Sequence, residues 1–150
     1  MFTQHIISKK EHLEWLKKLK INNSVKNLIV FKNNEVIGFF GISKIFKQES
    51  AYWAFYISKE FRKIGIGISL EYLAIEYLFK RLRLKKIFCE VLLSNPDVIN
   101  LHKKFGFTLT NKNNYTILIN KKKIKLVKLK LKKEKWEILK LNIKKKFFNE

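Results

Sequence analysis

Two residues of this chain stand out as able to move protons: Glu90 and His102. Glu90 lies in Lys86-Ile87-Phe88-Cys89-Glu90-Val91-Leu92-Leu93, a short apolar run that reads as a buried strand. Alternation places Glu90 on one face with Phe88 and Leu92, and a carboxylate among apolar neighbours is costly unless it has partners or a task. A general base and a structural, hydrogen-bonded glutamate both meet that condition. His102 shares a helix face with Val98 and Phe105 and should point inward, as an acid–base group or as a core histidine. Cys89 alternates with Glu90, so it faces the other side of the strand and reads as core rather than as a nucleophile. His5 and His12 carry no catalytic reading.

A second constellation is Arg62-Lys63-Ile64-Gly65-Ile66-Gly67, between a predicted strand and an amphipathic helix. Glycines let a ligand approach the backbone closely, and a helix start offers unpaired N–H groups to anions. Together they suggest a pyrophosphate cradle; a plain structural turn is the alternative. The spacing is not that of a Walker loop, and the dinucleotide fingerprint needs one more glycine. Further on, Asn95-Pro96 opens a short helix, with asparagine suited to the N-cap and proline to the first turn.

The elements that hold these residues follow from periodicity. Ser8-Lys9-Lys10-Glu11 fits a capping box, so a helix should run to about Lys20, with Leu13, Trp15, Leu16 and Leu19 on its apolar side. Strands are expected over 26–31, 35–46 and 50–58, with a turn at Lys32-Asn33-Asn34. From Gly65 to about Leu82, Ile66, Leu70, Leu73, Ala74 and Tyr77 recur at helical spacing. A strand over 86–93, a short helix ended by Gly106, strands around 107–118 and 123–131, and a basic helix from Lys132 to about Phe148 complete the order. That is an α/β fold: a mixed, mostly antiparallel central sheet flanked by helices, in a single domain over 1–150.

Composition narrows the function. The chain has 150 residues, 47% of them hydrophobic, enough for a real core. One cysteine and the lack of an apolar signal core suggest a reduced, cytoplasmic compartment, and no apolar run approaches a membrane span. The charge of +21 suggests an anionic partner, but Arg62, Arg81 and Arg83 are the only arginines among 33 basic residues. Nucleic-acid readers lean on arginine, so compositional bias explains the lysines more simply than a nucleic acid does. Asp97 is the sole aspartate and no zinc spacing exists, so no metal is expected.

At these residues the chain resembles the GNAT superfamily of acetyl-CoA-dependent N-acetyltransferases. Arg62-x-x-Gly65-x-Gly67 after a strand looks like the superfamily's pyrophosphate loop. Glu90 through Asn95, continued by Val98-Ile99-Asn100-Leu101-His102-Lys103-Lys104-Phe105-Gly106-Phe107, looks like its pantetheine-binding strand and helix. A closer resemblance is to the UDP-4-amino-4,6-dideoxy-N-acetyl-β-L-altrosamine N-acetyltransferases of pseudaminic acid biosynthesis. It is carried by Leu70-Glu71-Tyr72-Leu73-Ala74, Cys89-Glu90-Val91-Leu92 and the Val98–Phe107 segment, with a looser match at Glu134 to Trp136.

The resemblance implies a set of roles. Arg62, Lys63, Ile64, Gly65, Ile66 and Gly67 would hold the pyrophosphate of acetyl-CoA. Backbone groups of Phe55, Tyr56 and Ile57 would bind the pantetheine arm and polarise the thioester carbonyl, and Asn95 would contact a pantetheine amide. Glu90 matches the position of a general base in the related ribosomal-protein alanine N-acetyltransferases. His102 stands where many members carry a tyrosine that protonates the departing thiolate. Reference pKa values of about 6.5 for histidine and about 8.5 for a thiol make that transfer downhill from an imidazolium. The acceptor would be a UDP-linked amino sugar, and a homodimer is compatible with the sequence. The resemblance also implies a shortened N-terminus, because the family's first strand and helix precede the segment that matches Met1. Acetylation of a protein N-terminus or a polyamine, an inactive CoA-binding relative, and a basic nucleic-acid-binding module remain alternatives.

Overall fold

The computed structural model describes residues 8–21, 25–62 and 65–149. The capping box forms as expected: the Ser8 amide donates to Glu11 Oε2 at 2.8 Å and the Glu11 amide to Ser8 Oγ at 3.2 Å, opening α1 (Lys9–Ile21). Leu13 and Leu16, expected on a covered apolar side, are instead substantially exposed. The side chains of His12, Trp15 and Leu19, and all of His5, lie outside the described residues.

Asn33 and Asn34, at φ 49° and 66°, turn β1 (Lys26–Lys32) back into β2 (Glu35–Phe46). Two successive left-handed residues match the twist of a tight hairpin, and asparagine tolerates that conformation. Next come β3 (Ser50–Ile57) and α2 (Ile66–Glu76), which continues through a wider π-helical turn at Tyr77–Arg81. Then follow β4 (Lys86–Leu92), α3 (Pro96–Lys104), β5 (Thr108–Ile119), β6 (Lys122–Lys132) and α4 (Lys133–Phe148).

The strands make one six-stranded sheet in the order β1-β2-β3-β4-β6-β5. Every pair is antiparallel except β3–β4, which needs the crossover that α2 supplies. This parallel pairing stops early. Ser50, Ala51 and Tyr52 lie opposite Lys86, Ile87 and Phe88, and no pairing follows between Trp53–Ile57 and Cys89–Leu92. On their outer sides both strands stay paired, β3 to β2 as far as Gly38↔Ile57 and β4 to β6 as far as Leu92↔Leu126. The sheet is therefore split down its middle.

Helices α2, α3 and α4 cover one face of the sheet. Burial on β4 alternates strictly, with Ile87, Cys89 and Val91 beneath the helices. Trp136 anchors α4: its Nε1 donates to Glu76 Oε1 at 2.6 Å, and its ring lies 5.3 Å from Tyr72 and 6.3 Å from Phe105. The buried stripe of α2 is Leu70, Glu71, Ala74, Ile75 and Leu78. Leu73, expected on it, is 64% exposed. The apolar face is thus rotated from the one periodicity suggested, and it carries a carboxylate.

Two consequences are measurable. A Cβ on Gly38 would sit 2.0 Å from the Tyr56 carbonyl oxygen, backbone that β3 cannot withdraw without breaking its register. Gly38→Ala should therefore destabilise the protein by about 1–3 kcal/mol, the usual size of an overpacking penalty. An unchanged urea midpoint would contradict that close approach. Burial pushes the Cys89 thiol well above its ordinary range, with the Glu71 and Glu90 carboxyls adding to the effect. The folded protein should resist a thiol-specific reagent at pH 8 and react only in denaturant, because the thiolate is the reactive form. Fast labelling of the native chain would show Cys89 to be accessible.

Candidate active site

The split exposes one edge of β3 over Trp53–Ile57 and the facing edge of β4 over Cys89–Leu92. Arg62 sits at its end, where Nε donates to the Ile57 carbonyl at 3.0 Å and the guanidinium lies 5.3 Å from the Tyr56 ring. Lys63 and Ile64 lie outside the described residues. Gly65 then takes φ 86°, a left-handed conformation that glycine adopts without strain, and α2 begins. The first bond of α2 runs from the Ser69 amide to the Gly65 carbonyl at 2.9 Å. The amides of Ile66, Gly67 and Ile68 therefore precede the helical ladder, and no acidic side chain occupies the first turn. A Cβ on Gly67 would lie 3.7 Å from Leu101 Cδ2 and 4.0 Å from Ile57 Cδ1. The glycine turn thus stands beside the split and against α3.

Asn95 occupies the N-cap position of α3 and is exposed, but its side chain caps nothing. Its ψ of 70° is short of the extended value usual at an N-cap, and the capping bond expected there is not made.

On the helix face, His102 is buried and its Nδ1 lies 2.7 Å from Glu71 Oε1. The imidazole packs against Phe107 at 5.2 Å, Trp53 at 5.5 Å and Phe55 at 6.2 Å between ring centroids. Trp53 and Phe55 belong to the part of β3 that has left β4, so the imidazole borders the split. Burial raises the Glu71 carboxyl above its usual range, partly offset by the His102 hydrogen bond.

On the open face, Glu90 contributes to a groove of about 360 Å³ with Asn27, Ser43, Lys44, Tyr52 and Trp53. Lys44 Nζ stands 3.6 Å from Glu90 Oε1, and the Tyr115 hydroxyl hydrogen-bonds to Glu90. Burial and this bond both push the Tyr115 phenol up, so it stays a donor. Tyr52 stacks on Phe88 at 5.2 Å, and Lys128, opposite Glu90 in register, lies 4.8 Å and 4.7 Å from those two rings. The expectation that Glu90 sits among apolar neighbours is corrected: its surroundings are cationic and phenolic, and its side chain is partly exposed. Glu90 and His102 face opposite sides of the sheet; Trp53, which lines the Glu90 groove and packs on the His102 ring, lies between the two environments.

The site suits an elongated ligand that carries amides. Among the described residues, buried Trp53 Nε1 and Ser58 Oγ have no hydrogen-bond partner, and they bracket Phe55–Ile57. Unsatisfied buried polar atoms are rare and costly, and an amide-bearing arm entering the split could satisfy them. Among the described residues, no cluster of three or more His, Cys, Asp or Glu could hold a metal ion, and no helix is long and apolar enough to cross a membrane.

Sequence reasoning missed Glu71, Lys44, Tyr115 and Lys128 as neighbours of the two acid–base candidates. Only Glu71 had a local signal: it falls three and four residues before Ala74 and Ile75, on the buried stripe. The others come from strands distant in sequence.

Residues 2–107 match the model of the acetyltransferase (GNAT) family. No protein of curated function matches the chain. Among solved structures, the chain is similar to the Vibrio cholerae spermidine N-acetyltransferase in complex with CoA and spermine. There the TM-score is 0.80 at 22% identity, over 91% of this chain and 82% of that one. A chimera of the Vibrio cholerae enzyme SpeG with hSSAT gives 0.81 at 23%, over 91% and 84%. The Campylobacter jejuni N-acetyltransferase PseH gives 0.68 at 26%, over 83% and 79%. The likenesses below 25% identity speak for the fold; the family match, over most of the chain and both motifs, speaks for the chemistry. This chain belongs to the GNAT family of N-acetyltransferases, whose acetyl donor is acetyl-CoA.

Proposed function

We propose that the protein transfers the acetyl group of acetyl-CoA to the 4-amino group of a UDP-linked amino-dideoxy sugar. The carrying observation is the split sheet with unlike faces. Donor and acceptor approach from opposite sides: the thioester arm from the helix face, past the Gly65–Gly67 turn, and the amine from the open face beside Glu90. Arg62 and the Ile66–Ile68 amides take the pyrophosphate, and backbone groups of Phe55, Tyr56 and Ile57 hold the arm and polarise the carbonyl. The exposed Asn95 side chain serves a pantetheine amide. The amine nitrogen attacks the thioester carbon, Glu90 takes the proton the nitrogen sheds, and the C–S bond breaks. His102 supplies the proton that the sulfur gains.

The open face supports an anionic acceptor. The Glu90 carboxylate already faces Lys44, and Lys128 lies over the Tyr52–Phe88 stack. A polycation would be repelled there, whereas a diphosphate would be attracted. The resemblance to the pseudaminic acid enzymes supports the same acceptor. A polyamine remains the competing acceptor, since the fold is also that of spermidine acetyltransferases. Assays with the UDP-amino sugar, spermidine and an N-terminal peptide decide between them. Acetylation of the sugar is expected; acetylation of spermidine or the peptide but not the sugar rejects the proposed acceptor.

Two variants test the roles. The protein leaves ordinary contact room for a methyl at Gly67, so Gly67→Ala should fold normally. It should nevertheless weaken CoA about tenfold or more if the missing side chain serves close ligand approach. Unchanged CoA affinity by calorimetry would remove the turn from the donor site. Glu90→Gln should lower kcat/KM by about 10²–10⁴-fold, most severely at low pH where free amine is scarce. A folded variant with wild-type rates across pH would rule out the general base.

A further inference from the structure

We propose that Glu71 is a positioning residue for acetyl transfer: it grips the His102 imidazole through Nδ1, so that Nε2 carries the proton taken by the departing sulfur. This rests on the reading of His102 as the thiolate's proton donor. No motif or comparison assigns Glu71 a role.

The geometry is that of a dedicated pair. Nδ1 and Oε1 are 2.7 Å apart, a length typical of a charge-assisted hydrogen bond, and Glu71 and His102 are 0% and 4% exposed. Among the described residues, the rings packed on the imidazole are uncharged. From β3 it meets Trp53 and Phe55, and beyond α3 it meets Phe107. Cys89 on β4 also lies close to Glu71, and burial keeps its thiol neutral. Among the described residues, Glu71 Oε2 has no hydrogen-bond partner. A leucine at 71 would continue the apolar stripe of α2 without that desolvation penalty, and replacing a buried ion pair by packed apolar residues is often neutral or stabilising. A merely structural reading therefore leaves the carboxylate unexplained.

The proton count favours the pair as an acid. With two protons between them, Glu71 and His102 are neutral overall, as suits a dry site. Whether the shared proton rests on Oε1 or on Nδ1, Nε2 keeps its hydrogen. When the C–S bond breaks, its electron pair goes to sulfur and the sulfur takes the Nε2 proton. A Glu71 carboxylate held by Nδ1–H is left behind until solvent restores the proton. A glutamine at 71 cannot share a proton in this way. Its carbonyl would accept Nδ1–H and strip Nε2 of hydrogen, and if its amide N–H donated to Nδ1 instead, loss of the Nε2 hydrogen would leave an unfavourable imidazolate.

The test is kcat and the acetyl-CoA KM against pH for the wild type, Glu71→Gln and His102→Phe, with folding checked by circular dichroism. The proposal expects Glu71→Gln to lower kcat by about 10²-fold, in the range of general acid–base loss, with KM changed less than about threefold. It also expects the alkaline fall of kcat to move down by on the order of one unit, the scale of an opposite-charge effect. If His102→Phe slows turnover but Glu71→Gln keeps the wild-type profile, the positioning role is overturned and His102 stands alone as the acid. If His102→Phe leaves kcat unchanged, the underlying reading of His102 fails instead. Should Glu71→Gln not fold, long-range ¹H–¹⁵N correlation of the wild-type His102 ring decides. Nε2 bearing its proton at pH 7 supports the pair, and an unprotonated Nε2 overturns it.

Discussion

The arrangement of this protein depends on a parallel strand pair that stops pairing. Beyond Tyr52 and Phe88, β3 and β4 part while each stays bonded to its outer neighbour. Backbone groups in the middle of a sheet are normally satisfied, and leaving them unpaired is expensive. The fold supports the separation at the Ile57 end of β3. Gly38 allows the Tyr56 carbonyl to approach closer than any side chain would, which keeps the far end of β3 on β2. Arg62 takes up the Ile57 carbonyl, and the first turn of α2, with Leu101 of α3, stands beside the gap.

The split also joins two environments of different polarity. Under the helices, the Glu71–His102 pair lies in an aromatic enclosure that water hardly reaches, where charge is stable only in pairs. Across the sheet, Glu90 and Lys44 line an open groove, with Tyr115 hydrogen-bonded to Glu90 and Lys128 over the Tyr52–Phe88 stack. In the proposed reaction Glu90 would take a proton from nitrogen and His102 would give one to sulfur, and their placement on opposite faces of one sheet would keep the two groups from neutralising each other.

Much of this was legible in the sequence, for local reasons. Ser8 with Glu11, the Asn33-Asn34 turn and Gly65 each encode their geometry within a few residues, so the element order could be read directly. Strict alternation on β4 told correctly that Cys89 and Glu90 face opposite ways. What could not be read was what lies across from each face. The Glu90 environment depends on Lys44, Tyr115 and Lys128, which arrive from β2, β5 and β6. The α2 stripe was misplaced because Leu73 is apolar yet exposed and Glu71 is charged yet buried, and periodicity arguments weigh residue type alone. The split leaves no mark in the strands themselves, since Trp53–Ile57 has the same β-prone composition as the paired residues before it.

The most direct measurement of the central claim is backbone hydrogen exchange along β3, with and without CoA. Ser50 and Tyr52 are paired on both sides and should be protected in either state, whereas Trp53–Ile57 have one free edge. The account predicts that CoA slows exchange across Trp53–Ile57 and at Ile66–Ile68, while β1 and β2 change little. Protection by CoA elsewhere, with Trp53–Ile57 unaffected, would contradict the assignment of the split as the place where acetyl transfer occurs.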